Sequence, residues 1–253
     1  MKNKIIQTYK FFADDTPYYA ASLSFFTIFS ILPLIALLIV VVSSLPSFSE
    51  HLDIIMIYIL DFINPTHSET LAGFLNTFLE NTDKLGSIGI FYLLFVFTMF
   101  FRDYEFVVNK IYNVPTRAIY KLFFLYLGFL LLIPALLFLA VLLTALTNFP
   151  LSGKLAMYIF IWIIFIILFI VSANTKVTFL SAMFSSFITL IVLTITKNLF
   201  AYYVSANTTY ATIYGSFSIA LFFFLWIYVS WSIYLYGTKL CSILNKGDIK
   251  NEN

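Results

Sequence analysis

No Asp or Glu occurs between Glu105 and Asp248, and that stretch is filled instead by runs of Leu, Ile, Val and Phe. Such a chain has too little polar side chain to cover a core in water. Overall it is 62% hydrophobic and 10% charged, against about 45–50% and about 25% in a soluble domain. Its solvent is a bilayer, in which an apolar helix closes its own backbone hydrogen bonds.

Six apolar runs, residues 22–43, 86–101, 122–146, 155–171, 177–196 and 215–240, each approach the roughly 20 residues of a transmembrane helix. The expected fold class is an all-α integral membrane protein with six transmembrane helices, in a single domain over residues 1–253. The run from Ala20 to Leu45 is longer than the roughly 7–15 residues of a signal-peptide core and reads as a retained first span. With the amino terminus inside, 11 of the 14 Lys and Arg fall on inner segments. The positive-inside rule then places both termini in the cytoplasm.

The first outer loop, residues 46–85, carries half of the twelve acids and is too long for a plain connector. Leu71, Phe74, Leu75, Phe78 and Leu79 recur at helical spacing, which predicts an amphipathic helix, and a second is expected from Leu52 to Ile63, ended by Asn64-Pro65. Ile5, Ile6, Tyr9 and Phe12 share a helical face beside Lys2, Lys4 and Lys10, the pattern of an interfacial anchor.

The spans differ in polarity. Residues 155–171 offer only Tyr158 and Trp162 beyond apolar groups, and residues 122–143 differ mainly by Gly128 and Pro134, so both are expected to face lipid. In the fifth span Thr178, Ser181, Ala182, Ser185, Ser186 and Thr189 form a small, hydroxylated stripe. Close helix packing is one reading of that stripe and lining of a pathway the other. The first span adds Ser24, Thr27 and Ser30 before Pro33, which removes a backbone bond, frees the Phe29 carbonyl and predicts a kink. Tyr214, Gly215 and Ser216 open the sixth span, and Trp226 and Tyr228 begin its aromatic inner half. These residues of spans one, five and six are the candidate lining of a groove or cavity.

Several chemistries lack their residues. No ionisable side chain sits near a span centre, where a proton-coupled pump places one. Asp14, Asp15 and Arg102-Asp103-Tyr104-Glu105 are expected at the inner surface, solvated or paired. Both histidines, His51 and His67, lie in the outer loop, and the short pairs they make with Asp53 and Glu69 are weak metal signals. Cys241 is the single cysteine, so no internal disulfide forms. No nucleotide-binding or serine-hydrolase motif is present, and a net charge of +2 gives no basic surface for nucleic acid. The expectation is a non-enzyme without metal or cofactor.

Three stretches carry a resemblance. Ala20-Ala21-Ser22-Leu23-Ser24-Phe25-Phe26-Thr27 runs on to Ser30-Ile31-Leu32-Pro33-Leu34. Val108-Asn109-Lys110-Ile111-Tyr112-Asn113-Val114 follows span two. Ile213-Tyr214-Gly215-Ser216, Leu225-Trp226-Ile227-Tyr228 and Leu235-Tyr236-Gly237 close the chain. Together they resemble the YihY/BrkB family of bacterial inner-membrane proteins, once misnamed ribonuclease BN, over nearly the whole chain. Ala173-Asn174 and Thr238-Lys239 depart from the family's Pro-Asn and from its acid after the last glycine. The resemblance implies a multi-pass inner-membrane protein with cytoplasmic ends and a part in envelope lipid or glycolipid traffic.

Residues and resemblance together point to a transporter-like protein that moves lipid or glycolipid between leaflets, with membrane lipids as its partners. The alternative is a structural or scaffolding protein that binds envelope protein partners through its aromatic spans and acidic loop. Oligomeric state is not legible in the sequence.

Overall fold

The structure is a computed structural model that describes residues 14–43, 69, 73, 77, 86–132, 153–206, 212, 214, 215 and 217–251. Among the described residues six helices order the chain, α3 being the shortest: α1 (Thr16–Ser43), α2 (Gly86–Tyr112), α3 (Ile119–Leu132), α4 (Gly153–Ser172), α5 (Phe179–Ala206) and α6 (Phe217–Asn251). Among the described residues, stretches of α1, α5 and α6 are long and apolar enough to cross a membrane, over Thr16–Leu38, Phe179–Ala206 and Phe217–Gly247. The expected interfacial helix of residues 1–12, the helix of 52–63 and the apolar face of Leu71 to Leu79 lie outside the described residues. Glu69, Gly73 and Thr77, spaced four apart, are helical and exposed.

The helix ends follow from local chemistry. The Asp14 carboxylate accepts from the Thr16 amide at 3.2 Å and the Thr16 hydroxyl at 2.9 Å, capping α1, and Pro17 suits a first turn that has no use for its amide. α1 then runs through Pro33 without interruption. α2 ends where Asn113 adopts φ 58°. The Val114 amide reaches back to the Asn109 carbonyl at 3.0 Å and the Asn113 amide to that of Lys110 at 3.2 Å, a Schellman turn with asparagine at the left-handed position. Thr178 caps α5, its hydroxyl accepting from the Ser181 amide at 3.4 Å. Gly215 holds φ 53°, and its carbonyl accepts from the Ser218 amide and hydroxyl at the start of α6.

The helices also outrun the apolar stretches that announce them. α2 was expected over residues 86–101 but continues to Tyr112, because Leu93, Phe97, Phe100, Tyr104, Val108 and Tyr112 keep one buried face through the charged residues. α5 and α6 extend past residues 196 and 240 in the same way.

α6 is the centre of the bundle, packing on α5 most extensively, then on α1, and also on α2. α4 lies against α5, and α3 stacks Tyr126 on Phe101 of α2 with ring centroids 4.3 Å apart. α4 buries Phe160, Ile166 and Phe169 and leaves Tyr158, Ile159 and Ile163 outward. Around the bundle large apolar side chains point away, among them Phe179, Phe184, Ile191 and Ile195 of α5. A membrane accepts this surface because lipid tails are as apolar as the side chains.

Candidate functional site

The small face of α5 turns inward. Ser181, Ala182, Ser185, Ser186 and Thr189 are all buried. Opposite Thr189 lies Gly237 of α6, where an added Cβ would collide with the Thr189 hydroxyl. Only glycine permits so close an approach. The Trp162 indole N–H of α4 donates to the Ser186 hydroxyl at 3.0 Å, so the stripe touches α4 as well as α6.

Most hydroxyls here bond to their own helix. Ser24, Thr27 and Ser30 donate to the carbonyls of Ala20, Leu23 and Phe26 at 2.6, 2.7 and 2.8 Å, and Thr189 to that of Ser185 at 2.7 Å. This back-bonding satisfies the hydroxyl without a partner helix. Thr27 does more, accepting from the Trp231 indole of α6 at 2.7 Å. The Ser185 hydroxyl is fully buried without a hydrogen bond.

Between α1 and α6 a groove of about 340 Å³ opens sideways, lined by Ala21, Ser24, Phe25, Ile28 and Phe29 with Phe224 and Tyr228. The α1 residues repeat at three- and four-residue spacing, so the groove follows the helix axis. Of the candidate lining residues the groove unites Ser24 and Tyr228. Thr27, Ser30, Pro33, Ser181, Ser185, Thr189 and Trp226 are buried in helix contacts, Trp226 against Phe200 with centroids 5.4 Å apart. Thr178 caps α5, Tyr214 and Gly215 are exposed before α6, and Ser216 lies outside the described residues.

A second polar centre lies at the basal end of the bundle, where α1, α3 and α5 begin and α2, α4 and α6 finish. Glu105 and Asn109 of α2 are completely buried. Glu105 accepts from the Arg117 amide at 2.8 Å and pairs with its guanidinium at 3.3 Å. Arg117 also donates to the carbonyl of Ser172, the last residue of α4, at 3.2 Å and to that of Ala173 just beyond it at 2.7 Å. There its charge complements the negative end of the helix dipole. Asn109 donates to the Glu105 carbonyl at 3.0 Å and accepts from the Asn174 amide at 2.7 Å, while the Asn174 side chain donates to the Pro115 carbonyl at 2.8 Å. The Tyr104 hydroxyl joins those of Ser172 (2.7 Å) and Tyr234 of α6. Asn245 of α6 accepts from the Thr178 amide at 2.8 Å and donates to the Lys176 carbonyl at 2.9 Å.

Asp14 completes this end through its 2.6 Å ion pair with Lys239. Burial raises the pKa of its carboxyl, but the hydrogen bonds from Lys239 and Thr16 outweigh burial and hold it below the usual carboxylate value of 3.8.

The sequence leaves these acids either solvated or paired among themselves; the structure instead pairs Asp14 with Lys239 and Glu105 with Arg117, and buries Glu105. Read as a surface group after a short span, it is instead the buried anion of a helix about two-thirds longer than its apolar run, 27 residues against 16. The signal was the helical spacing from Phe97 and Phe100 to Tyr104, Val108 and Tyr112, which puts Glu105 and Asn109 on the same flank. Arg117 and Trp231 gave no such signal, since each acts through a partner far away in sequence. Among the described residues no cluster of metal-ligating side chains occurs.

The family model described as Virulence factor BrkB matches residues 8–253. A UPF0761 membrane protein of Actinobacillus pleuropneumoniae is 26% identical over 245 residues, covering 91% of this chain and 89% of the relative. UPF0761 membrane proteins of Legionella pneumophila and Azotobacter vinelandii are each 30% identical, over 91% of this chain but only 58% and 60% of their own lengths. The chain thus spans little more than half of those two longer relatives. No solved structure matches.

Proposed function

The chain belongs to the BrkB family of membrane proteins, and on that premise we propose that it moves lipid or glycolipid between the leaflets of the bacterial inner membrane, crossing it six times with both ends in the cytoplasm. The observation that carries this reading is the sideways groove between α1 and α6. It is apolar, it runs along two helices that are long enough to cross a bilayer, and its serine is already satisfied by the Ala20 carbonyl. A hydrocarbon chain can slide in such a groove without stripping any polar group of its partner. The distribution of Lys and Arg supports the orientation.

The test is lipid movement in proteoliposomes holding the purified chain, with headgroup-labelled phospholipid and a membrane-impermeant quencher. The expected outcome is protein-dependent exposure of inner-leaflet label, slowed by Ala21→Phe, which fills the groove from an exposed position, and by Ser24→Leu. Label as well protected as in empty vesicles would overturn the reading. The scaffolding alternative draws on the basal network, which ties helix ends together, and its mark would be a co-purifying envelope protein.

A further inference from the structure

We propose that the basal end is a preset platform for the headgroups of anionic phospholipids, built from Lys110, Lys121, Lys176 and Lys246. All four lysines are exposed. None has an ion-pair partner among the described residues, whereas Arg117 pairs with Glu105, Lys239 with Asp14, and Arg102 stands beside Asp103 on α2. The polar network therefore consumes two acids and leaves a surplus of positive charge around itself. Asp15 on α1's approach, Asp103 on α2 and Asp248 near the end of α6 are the described acids left at this end, fewer than the four lysines.

The four lysines come from four chain segments, and the buried network fixes where each one stands. Lys110 follows Asn109, whose side chain holds the Asn174 amide at 2.7 Å and so sets the α4–α5 turn, with Lys176 in it, against the end of α2. Asn245 grips the Lys176 carbonyl at 2.9 Å and the Thr178 amide at 2.8 Å, which places Lys246 beside that same turn. Arg117, anchored to Glu105 and to two carbonyls at the end of α4, stands one turn before Lys121 at the start of α3. Lys121 lies over the exposed Tyr120 ring, 6.0 Å from its centroid, an amphipathic pair suited to headgroup depth. A buried, mutually satisfied polar network thus acts as the frame for cations that it does not itself neutralise. The complement to several ammonium groups at the ends of membrane helices is lipid phosphate. This inference requires that the helices cross a membrane and does not require that the protein moves lipid.

The test uses the full chain in phosphatidylcholine bilayers containing a minor fraction of phosphatidylglycerol, measuring the phosphatidylglycerol retained with the protein after extraction. The wild type is expected to enrich it, less so in high salt. The variant with Lys→Gln at positions 110, 121, 176 and 246 should lose at least about fivefold in enrichment, the effect of one lysine near an anionic surface. Lys→Arg at the same four positions should keep it, and the wild-type salt dependence reads the platform even where a variant does not fold. No enrichment by the wild type, or equal enrichment by the Gln variant, overturns the proposal. Capture of an acidic soluble protein without enrichment of phosphatidylglycerol overturns it too. Enrichment without lipid movement in the quenching assay overturns the transport reading alone.

Discussion

Along α1 and α5 the hydroxyls of Ser24, Ser30 and Thr189 look one turn back and bond to their own helix at 2.6 to 2.8 Å. At the basal end Asn109, Arg117 and Asn174 reach partners 55 to 65 positions away. The first region is polar in composition and apolar in behaviour: its hydroxyls keep side chains small and let helices approach. The second region is the one that specifies which elements meet. A polar residue in a membrane helix thus tells little until its partner is known.

The largest test of this contrast removes one side of the buried pair. Arg117→Leu strands the Glu105 carboxylate and should cost about 3–5 kcal/mol, with the Glu105→Leu/Arg117→Leu double variant recovering most of it. Thermal unfolding in detergent measures both, and equal stability of the wild type and Arg117→Leu would break the distinction. Next comes the closest approach of the hydroxyl region. Gly237→Ala drives a methyl group into Thr189 and should cost about 1–3 kcal/mol, part of it restored by Thr189→Ala. Within α1 the contrast sharpens further. Thr27→Val strands the Trp231 indole and should cost about 0.6–1.7 kcal/mol, whereas Ser30→Ala, which bonds only to its own helix, should cost less than about 0.5 kcal/mol.

The smallest effect belongs to Asp14, a basal carboxylate just before α1. Its acidity is strengthened in the folded protein, so its contribution is present above the unfolded carboxylate value and is lost as pH falls through the lower folded one. Unfolding temperatures of the wild type and Asp14→Asn should therefore differ at neutral pH and converge in strong acid. A difference that persists there would assign the effect to capping alone.

The membrane class, the existence of the helices and the inward small face of α5 were legible because apolar run length and residue size report on solvent and packing directly. The helix ends were less so. Runs of apolar residues stop at the first charge, but α2 passes Arg102 and Asp103 by turning them outward while Tyr104, Glu105 and Val108 stay inside. The groove was legible only through Ser24 and Tyr228, because its phenylalanines look like any lipid-facing residue. Arg117 was invisible because nothing local marks a side chain whose partners sit at the end of α4.

The different habits of these polar groups also imply an order of manufacture. A helix whose serines and threonines are bonded to their own backbone is chemically complete when it leaves the ribosome and can enter the bilayer alone. Asn109 and Arg117 are not complete at that stage, because the carbonyls of Ser172 and Ala173 and the amide of Asn174 are translated more than fifty residues later. The nascent protein therefore carries an unfinished basal end through the synthesis of α3 and most of α4. That interval is when a membrane chaperone or protease has the best means of telling a sound chain from a faulty one.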